Sequence, residues 1–373
     1  MTRTTTPTGT PAGPPELEVV GLRVHTHGEV TPAWVRDTVL PVWDEVRDGG
    51  RRLVRLRRGW LGGPHVDVVA VGPTPDRDVW AALARSLDAG PPPATPLDPE
   101  EYLDRARVRG RLERVDPPYL PLREHGTTLL LDRAAAEATG PTAALRGLAD
   151  AVLAPALVGN LREVAERPDR LPATLLDVLT VVADAHVLGA GFGTFSLRSH
   201  AEALLASWSP RGDLRPELHA RYEQQRGPIV ERVAELLGGD GGGGVTAWRT
   251  AVAYTRGVLD ESVRRGDLTN AAVDAAADPD AAARPATTTD HPDTDFHRAV
   301  HGSGATDGAG EWFAAYRVLV NCVYGQLPLL GVSPLHRAWG CWAVAHAVDE
   351  VLGETWTDRL AAAAPRPRQE ATR

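Results

Sequence analysis

Period-two hydrophobic alternation is confined to the first part of this chain, up to Gly72; from Asp132 onward apolar residues recur at helical spacing instead. That change of period restricts the chain to an architecture in which strands and helices are segregated. LEVVGLRVHT (Leu17 to Thr26), RRLVRLRR (Arg51 to Arg58) and HVDVVAVG (His65 to Gly72) read as strands. Between the first two, TPAWVRDTVLPVWDEVRDGG reads as a helix with Thr31 as N-cap, Pro32 at the first position and a glycine stop. Pro41 is expected to kink or divide it. A helix after Thr74 completes a β-α-β-β-α unit over residues 16–90.

The tract GPPPATPLDPEE opens a linker and mixed segment, 91–131, in which EYLDRARVRGRLERV reads as an arginine-rich helix running into a strand. Residues 132–356 read as a mainly helical region with a few strands. Within it, RPELHARYEQQRGPIVERVAELLGG is expected to form two helices broken at Gly227-Pro228, and GGDGGGG reads as a flexible linker. Residues 278–308 read as a flexible loop, and 1–15 and 357–373 as disordered tails. The fold class that follows is α+β.

Composition then removes functions. All 40 basic residues are arginine. Without lysine there is no Schiff base to pyridoxal phosphate, no catalytic lysine and no P-loop lysine. A net charge of −9 argues against a nucleic-acid partner. No apolar run reads as a membrane span and no signal peptide is apparent, so a cytoplasmic protein is expected. Cys322 and Cys341 sit in apolar helical patterns and are expected as buried free thiols. His297 and His301 are four apart, but no third ligand accompanies them, so neither a metal nor a cofactor is expected. GAGFG (Gly189 to Gly193) lacks the spacing of a dinucleotide fingerprint and reads as a turn.

Three polar constellations remain. In FSLRSHAEAL, Ser199 and Glu202 have capping-box spacing, which would put Arg198 and His200 at an electropositive helix N-terminus; the alternative is a cap alone. In DFHRAVHGSG, His297 and His301 flank Arg298 beside the expected loop, where titratable groups suit proton transfer, although a solvated loop end explains them too. In YRVLVNCVYGQLPLLG, Arg317, Asn321 and Tyr324 fall within one sector of a helix, with Gly325 beside them and Leu319, Cys322, Val323 and Leu327 opposite. Such a ridge needs either polar partners or a solvated cleft.

In this order, FSLRSHAEAL, DFHRAVHGSG and LVNCVYGQLPLLGVSPLHRAW resemble the C-terminal elimination domain of lantibiotic dehydratases, found as stand-alone thiopeptide-type bacteriocin biosynthesis proteins. Eliminases of that family carry strand arginines in a PHxRxR pattern. Here the strand reads PHVDVV, keeping His65 and placing Asp67 and Val69 where arginines would stand. Asn321 takes the position of the eliminase helix histidine, and Gly325-Gln326-Leu327 that of the following asparagine-arginine-leucine segment. The resemblance is therefore closer to the thiopeptide pyridine synthases, which join two dehydroalanines of a modified precursor peptide in a formal [4+2] aza-cycloaddition. Loss of water and of the leader peptide follows.

What this resemblance implies is a cofactor-independent peptide cyclase with Tyr324, Asn321, Arg317, His297, His200 and Ser199 as catalytic candidates. Arg198, Tyr316 and Gln326 become candidate substrate contacts, and Arg55 and Arg57 of the leader-binding-like unit would meet an acidic leader. Partners would be the leader and core of the precursor and other enzymes of the same pathway. A split eliminase acting on glutamylated serine or threonine, and an inert leader-binding protein, are the alternatives.

Overall fold

The computed structural model describes residues 18–50, 52–113, 115–136, 142–208, 212–277, 294–303 and 310–363. The expected tail 1–15, most of the expected loop 278–308 and the end of the expected C-terminal tail lie outside them.

Four strands, β1 (Val19–His25), β2 (Leu53–Gly59), β3 (His65–Val71) and β4 (Thr128–Asp132), form an antiparallel sheet in the order β2-β3-β1-β4. Sequence reading anticipated the first three. The fourth is a continuous apolar run, TLLLD, whose period cannot separate strand from helix; pairing along the free edge of β1 decides it. One sheet face carries Leu22, Val24, Val54, Leu56, Val66 and Val68, which alternate into the main core.

The segment after β1 is divided, as Pro41 requires. Thr31 caps α1 (Pro32–Trp34) by accepting from the Trp34 N–H at 3.1 Å, a π-helical turn spans Val35–Val39, and α2 runs from Leu40 to Asp48. The wide turn lies just before Pro41, whose missing N–H and ring would disrupt a regular ladder. Buried Trp43 of α2 donates its indole N–H to Val54 O at 3.2 Å, tying helix to sheet. Next come α3 (Arg77–Ser86) and α4 (Pro99–Glu113). The arginine-rich segment is thus a helix that ends well before the strand it was expected to enter.

The helical region comprises α5 (Arg133–Ala136), α6 (Ala143–Glu166), α7 (Leu171–Asp184), α8 (Ala190–Trp208), α9 (Arg215–Leu237), α10 (Gly242–Arg264), α11 (Asn270–Ala277), α12 (Asp295–Gly302), α13 (Trp312–Gln326), α14 (Pro334–Leu352) and α15 (Trp356–Ala363). Helix α6 is long and apolar enough to cross a membrane by length and composition, contrary to the sequence expectation. It packs against α10, α13 and β2, so its apolar surface joins the two parts of the molecule into one core. Arg58 of β2 adds a polar tie, donating to Pro328 O at 3.0 Å in the 3-10 turn after α13.

Three readings are corrected here. Helix α9 runs unbroken through Pro228, because residues 223–228 are exposed and water can reach the carbonyl that the proline leaves unpaired. The glycine tract is a tight connection whose last three glycines already belong to α10. Residues 357–363, expected in a disordered tail, belong to α15, which buries Leu360 and Arg359.

At the junction of sheet and helices, Gln326 of α13 donates its Nε2 to Asp150 O at 3.2 Å and Oδ1 at 3.3 Å. Burial pushes the Asp150 carboxyl up from 3.8 to about 6, against the attraction of Arg55 and Arg146. Between those values the folded chain holds a proton that the unfolded chain has released, so stability falls as pH rises through this window. Asp150→Asn keeps the acceptor and removes the charge. Its melting temperature should exceed that of the parent at pH 7.5, with the difference vanishing near pH 4, as read by calorimetry.

Candidate active site

Helix α8 brings the three polar constellations together. It starts after Gly189, which has a φ of +83°, and leaves α7 by crossing it closely. A β-carbon on Gly193 would lie 2.0 Å from Ala183 O, so only glycine permits the approach. GAGFG is therefore a turn that runs into a helix-crossing contact.

Because α8 begins at Ala190, Ser199 lies well inside it and caps nothing. This corrects the expected capping box, and with it the placement of Arg198 and His200 at an electropositive end. Glu202 pairs instead with Arg215 at 2.5 Å. Buried Arg198 donates to Asp349 of α14 at 2.9 Å, and Arg359 of α15 engages the same carboxylate. Two arginines on one carboxylate hold α8, α14 and α15 together, which is an architectural use of Arg198 rather than the expected substrate contact.

Ser199 Oγ lies 3.0 Å from His297 Nε2. His297 is buried in the first turn of α12, where Thr294 is the N-cap. Thr294 Oγ1 accepts from the His297 backbone N–H at 3.3 Å and lies 2.7 Å from its Nδ1. The result is a continuous chain, Thr294–His297–Ser199, closed over a separation of 98 residues. His301, one turn on, bonds through Nδ1 to His297 O at 2.7 Å. Phe296 packs against Phe195 of α8 and Trp356 of α15, with ring centroids 6.0 and 5.1 Å apart, so aromatic contacts seat α12 on its neighbours.

The next residue along α8, His200, meets α13. Its ring centroid lies 4.4 Å from that of Tyr324, and the Arg337 guanidinium sits 5.3 Å from the same phenol ring. The Tyr324 hydroxyl turns inward, 3.4 Å from Cys341 Sγ. That direction engages the hydroxyl of this catalytic candidate within the fold and leaves the Tyr324 ring as a wall beside His200. His200 Nε2 is buried without a hydrogen-bond partner among the described residues. Burial, and secondarily the charge of Arg337, push His200 down to about 3. At neutral pH it is an uncharged ring, which does not suit the catalytic candidate His200 to moving protons.

The α13 ridge divides by environment. Arg317 pairs with Asp274 of α11 at 2.6 Å, Asn321 is exposed, and Gly325 beside it faces open space. Tyr316 is wholly buried, donating its hydroxyl toward Val182 O and Gly193 O, each at 3.2 Å, which makes it a core residue at the α7–α8 crossing. Gln326 points away to Asp150. Arg55 is buried and donates to Ala136 O at 2.6 Å, whereas Arg57 on the same strand is exposed. Buried Asp67 forms a bidentate pair with half-buried Arg23, at 2.7 and 3.0 Å, and Val69 packs with Val20, Leu131 and Ala136.

Thr294 and Arg337 were not singled out from sequence, and Cys341 only as a buried thiol. Thr294 had a readable signal, a threonine directly before an acidic first turn; the other two had none beyond helical periodicity. A groove of about 600 Å³ lies elsewhere, between the π-helical turn, α2 and α3; its charged lining residues are all carboxylates, Asp37, Glu45, Asp78 and Asp88.

Burial likewise lowers His25 to about 3, and His65, His186 and His346 to about 4. Each of these groups takes up its proton more readily when unfolded, so the stability it contributes is present above pH 6.5 and lost as pH falls toward the native values. Melting temperature should therefore drop between pH 6.5 and 4, and His200→Gln should make that slope shallower by about one proton's worth.

No protein-family model and no curated protein matches the chain. Solved structures do. The pyridine synthase TbtD from thiomuracin biosynthesis is 22% identical and superposes with a TM-score of 0.68, over 90% of this chain and 99% of that one. TsrL is 16% identical with a TM-score of 0.60, over 94% of this chain and 100% of its own. At these identities the likeness is one of fold: this chain, sheet unit and helical region together, is built on the fold of a pyridine synthase.

Proposed function

We propose that the protein is a peptide cyclase of thiopeptide biosynthesis, forming a central pyridine from two dehydroalanines of a modified precursor peptide. The observation that carries this reading is the Thr294–His297–Ser199 chain, which joins α12 to α8 one residue before the His200 contact with Tyr324 of α13, in a pyridine-synthase fold. The reaction needs one backbone amide held as its iminol. The iminol then supplies four ring atoms and the second dehydroalanine two, as two carbon–carbon bonds form. Water leaves from the former amide carbon, and the leader leaves as a carboxamide from the second dehydroalanine, giving the aromatic ring.

No electron acceptor enters this balance; the chemistry consists of binding, orientation and proton movement. Ser199 is suited to hydrogen-bond the amide oxygen that becomes the iminol hydroxyl, held in place by buried His297. Asn321, exposed beside the open space at Gly325, is suited to orient the peptide, and His301 to exchange protons with solvent. Arg57, exposed on the edge strand β2, is the arginine of its segment suited to meet a leader, since Arg55 is engaged within the fold.

The eliminase alternative has less support. The strand that would carry its arginines holds Asp67, already paired with Arg23, and Val69 in the apolar cluster.

Incubation of the purified protein with a dehydrated, azole-bearing precursor, followed by mass spectrometry, should yield a macrocycle and a released leader carboxamide. Glutamate release from a glutamylated peptide would support the eliminase instead, and an unchanged peptide that binds tightly would support an inert partner. Ser199→Ala should slow cyclisation by roughly 10²-fold, as loss of one oriented donor does, while leader affinity measured by fluorescence anisotropy stays at the parent value.

A further inference from the structure

Resting on that reading of Ser199, we infer that Thr294 is a positioning residue: it fixes the tautomer of His297 so that Ser199 works as a hydrogen-bond donor rather than as an activated nucleophile.

The argument starts at the N-cap. Thr294 Oγ1 accepts the His297 backbone N–H, one of the donors that the start of any helix leaves without an intrahelical partner. Thr294 is buried, and a buried hydroxyl whose own proton finds no acceptor is costly. Nδ1 of His297, 2.7 Å away, is the acceptor within reach. If Nδ1 carried the proton instead, Thr294 Oγ1 would accept twice and leave its own hydrogen stranded. The arrangement that satisfies both groups has Thr294 O–H donating to Nδ1.

In a neutral imidazole the remaining proton then resides on Nε2. Nε2–H donates to Ser199 Oγ at 3.0 Å, so the serine oxygen is an acceptor toward the histidine and its own hydrogen is released toward the site. A histidine that activates a serine nucleophile needs the opposite polarity, with Nε2 accepting from the hydroxyl.

The surroundings of Ser199 agree. Thr180 and Ser262 turn their hydroxyls back onto carbonyls of their own helices, at 2.8 and 3.1 Å. Ser199, although mid-helix, reaches across to α12. The substrate group that such an oriented hydroxyl fits is an oxygen gaining electron density, such as an amide carbonyl passing to its iminol. That orientation does not suit Ser199 to attack a carbonyl carbon itself.

The test separates the tautomer from both the helix cap and the overall function. In ¹⁵N-histidine-labelled protein, with the His297 signals assigned by their loss in His297→Gln, long-range ¹H–¹⁵N spectra should report the Nε2–H tautomer in the parent and in Thr294→Ser. Thr294→Asp retains a good N-cap but offers only acceptors, so it should move the proton to Nδ1 or charge the ring. Far-UV circular dichroism should stay at the parent value, and cyclisation should fall by on the order of 10²-fold or more. Thr294→Ser should cyclise at close to the parent rate. An Nδ1–H signature in the parent, or a parent-like rate in Thr294→Asp, overturns the inference. Because the spectra need no substrate, they decide the tautomer even if the parent forms no macrocycle, an outcome that overturns only the proposed reaction.

Discussion

The crossing of α8 over α7 at Gly193 is the contact on which the rest of the site depends. Without a side chain there, α8 lies directly on the Ala183 backbone, and Tyr316 from α13 can bond the carbonyls of Val182 and Gly193 together. Six residues further along α8, about 9 Å by helical rise, stand Ser199 and then His200. A displacement of α8 at the crossing would move both, and with them the contacts to α12 and α13. Gly340 plays the same part between α14 and α7, where a β-carbon would come within 2.9 Å of Leu175. Two glycines therefore set the spacing of the layer that carries the site.

Polar groups around this layer divide into those that tie helices together by ion pairs and those that do not. Arg198, Arg359 and Asp349 lock three helices, and Tyr222 and Arg226 both engage Glu350. A chain without lysine makes its buried cationic contacts with a group that stays charged and can bind a carboxylate in two places. His25, His65, His186, His200 and His346 behave differently, since burial holds them uncharged at neutral pH. His200 becomes an apolar-like ring against Tyr324, while His297 gains hydrogen bonds at both ring nitrogens. His297 is the histidine with an oriented side-chain partner at each ring nitrogen.

Much of the frame was legible in sequence because it rests on local pattern. The three alternating strands, the cap at Thr31, the division at Pro41 and the helix begun by Ser333 follow from periodicity and backbone chemistry. Readings failed where local signals were ambiguous or overridden. Ser199 and Glu202 have the spacing of a capping box in any helix, whether at its start or in its interior, and nothing local tells the two apart. Pro228 breaks a helix only if the freed carbonyl cannot reach water. TLLLD has no period, and α15 is stabilised by α8 and by Asp349, which are distant in sequence.

The polar ridge of α13 shows the boundary most clearly. Sequence alone determined that Arg317, Asn321 and Tyr324 share one face of a helix whose other side is core, because helical geometry depends on spacing alone. Tertiary structure decided what each does: Arg317 is neutralised by Asp274, Asn321 is left to solvent, and Tyr324 is turned toward Cys341 and covered by His200 and Arg337. It also decided that the serine of one motif and the histidine of another would share a hydrogen bond. The strength of a hydrogen bond depends on distances of a few ångströms, and between residues far apart in the chain those distances exist only after the helices have packed.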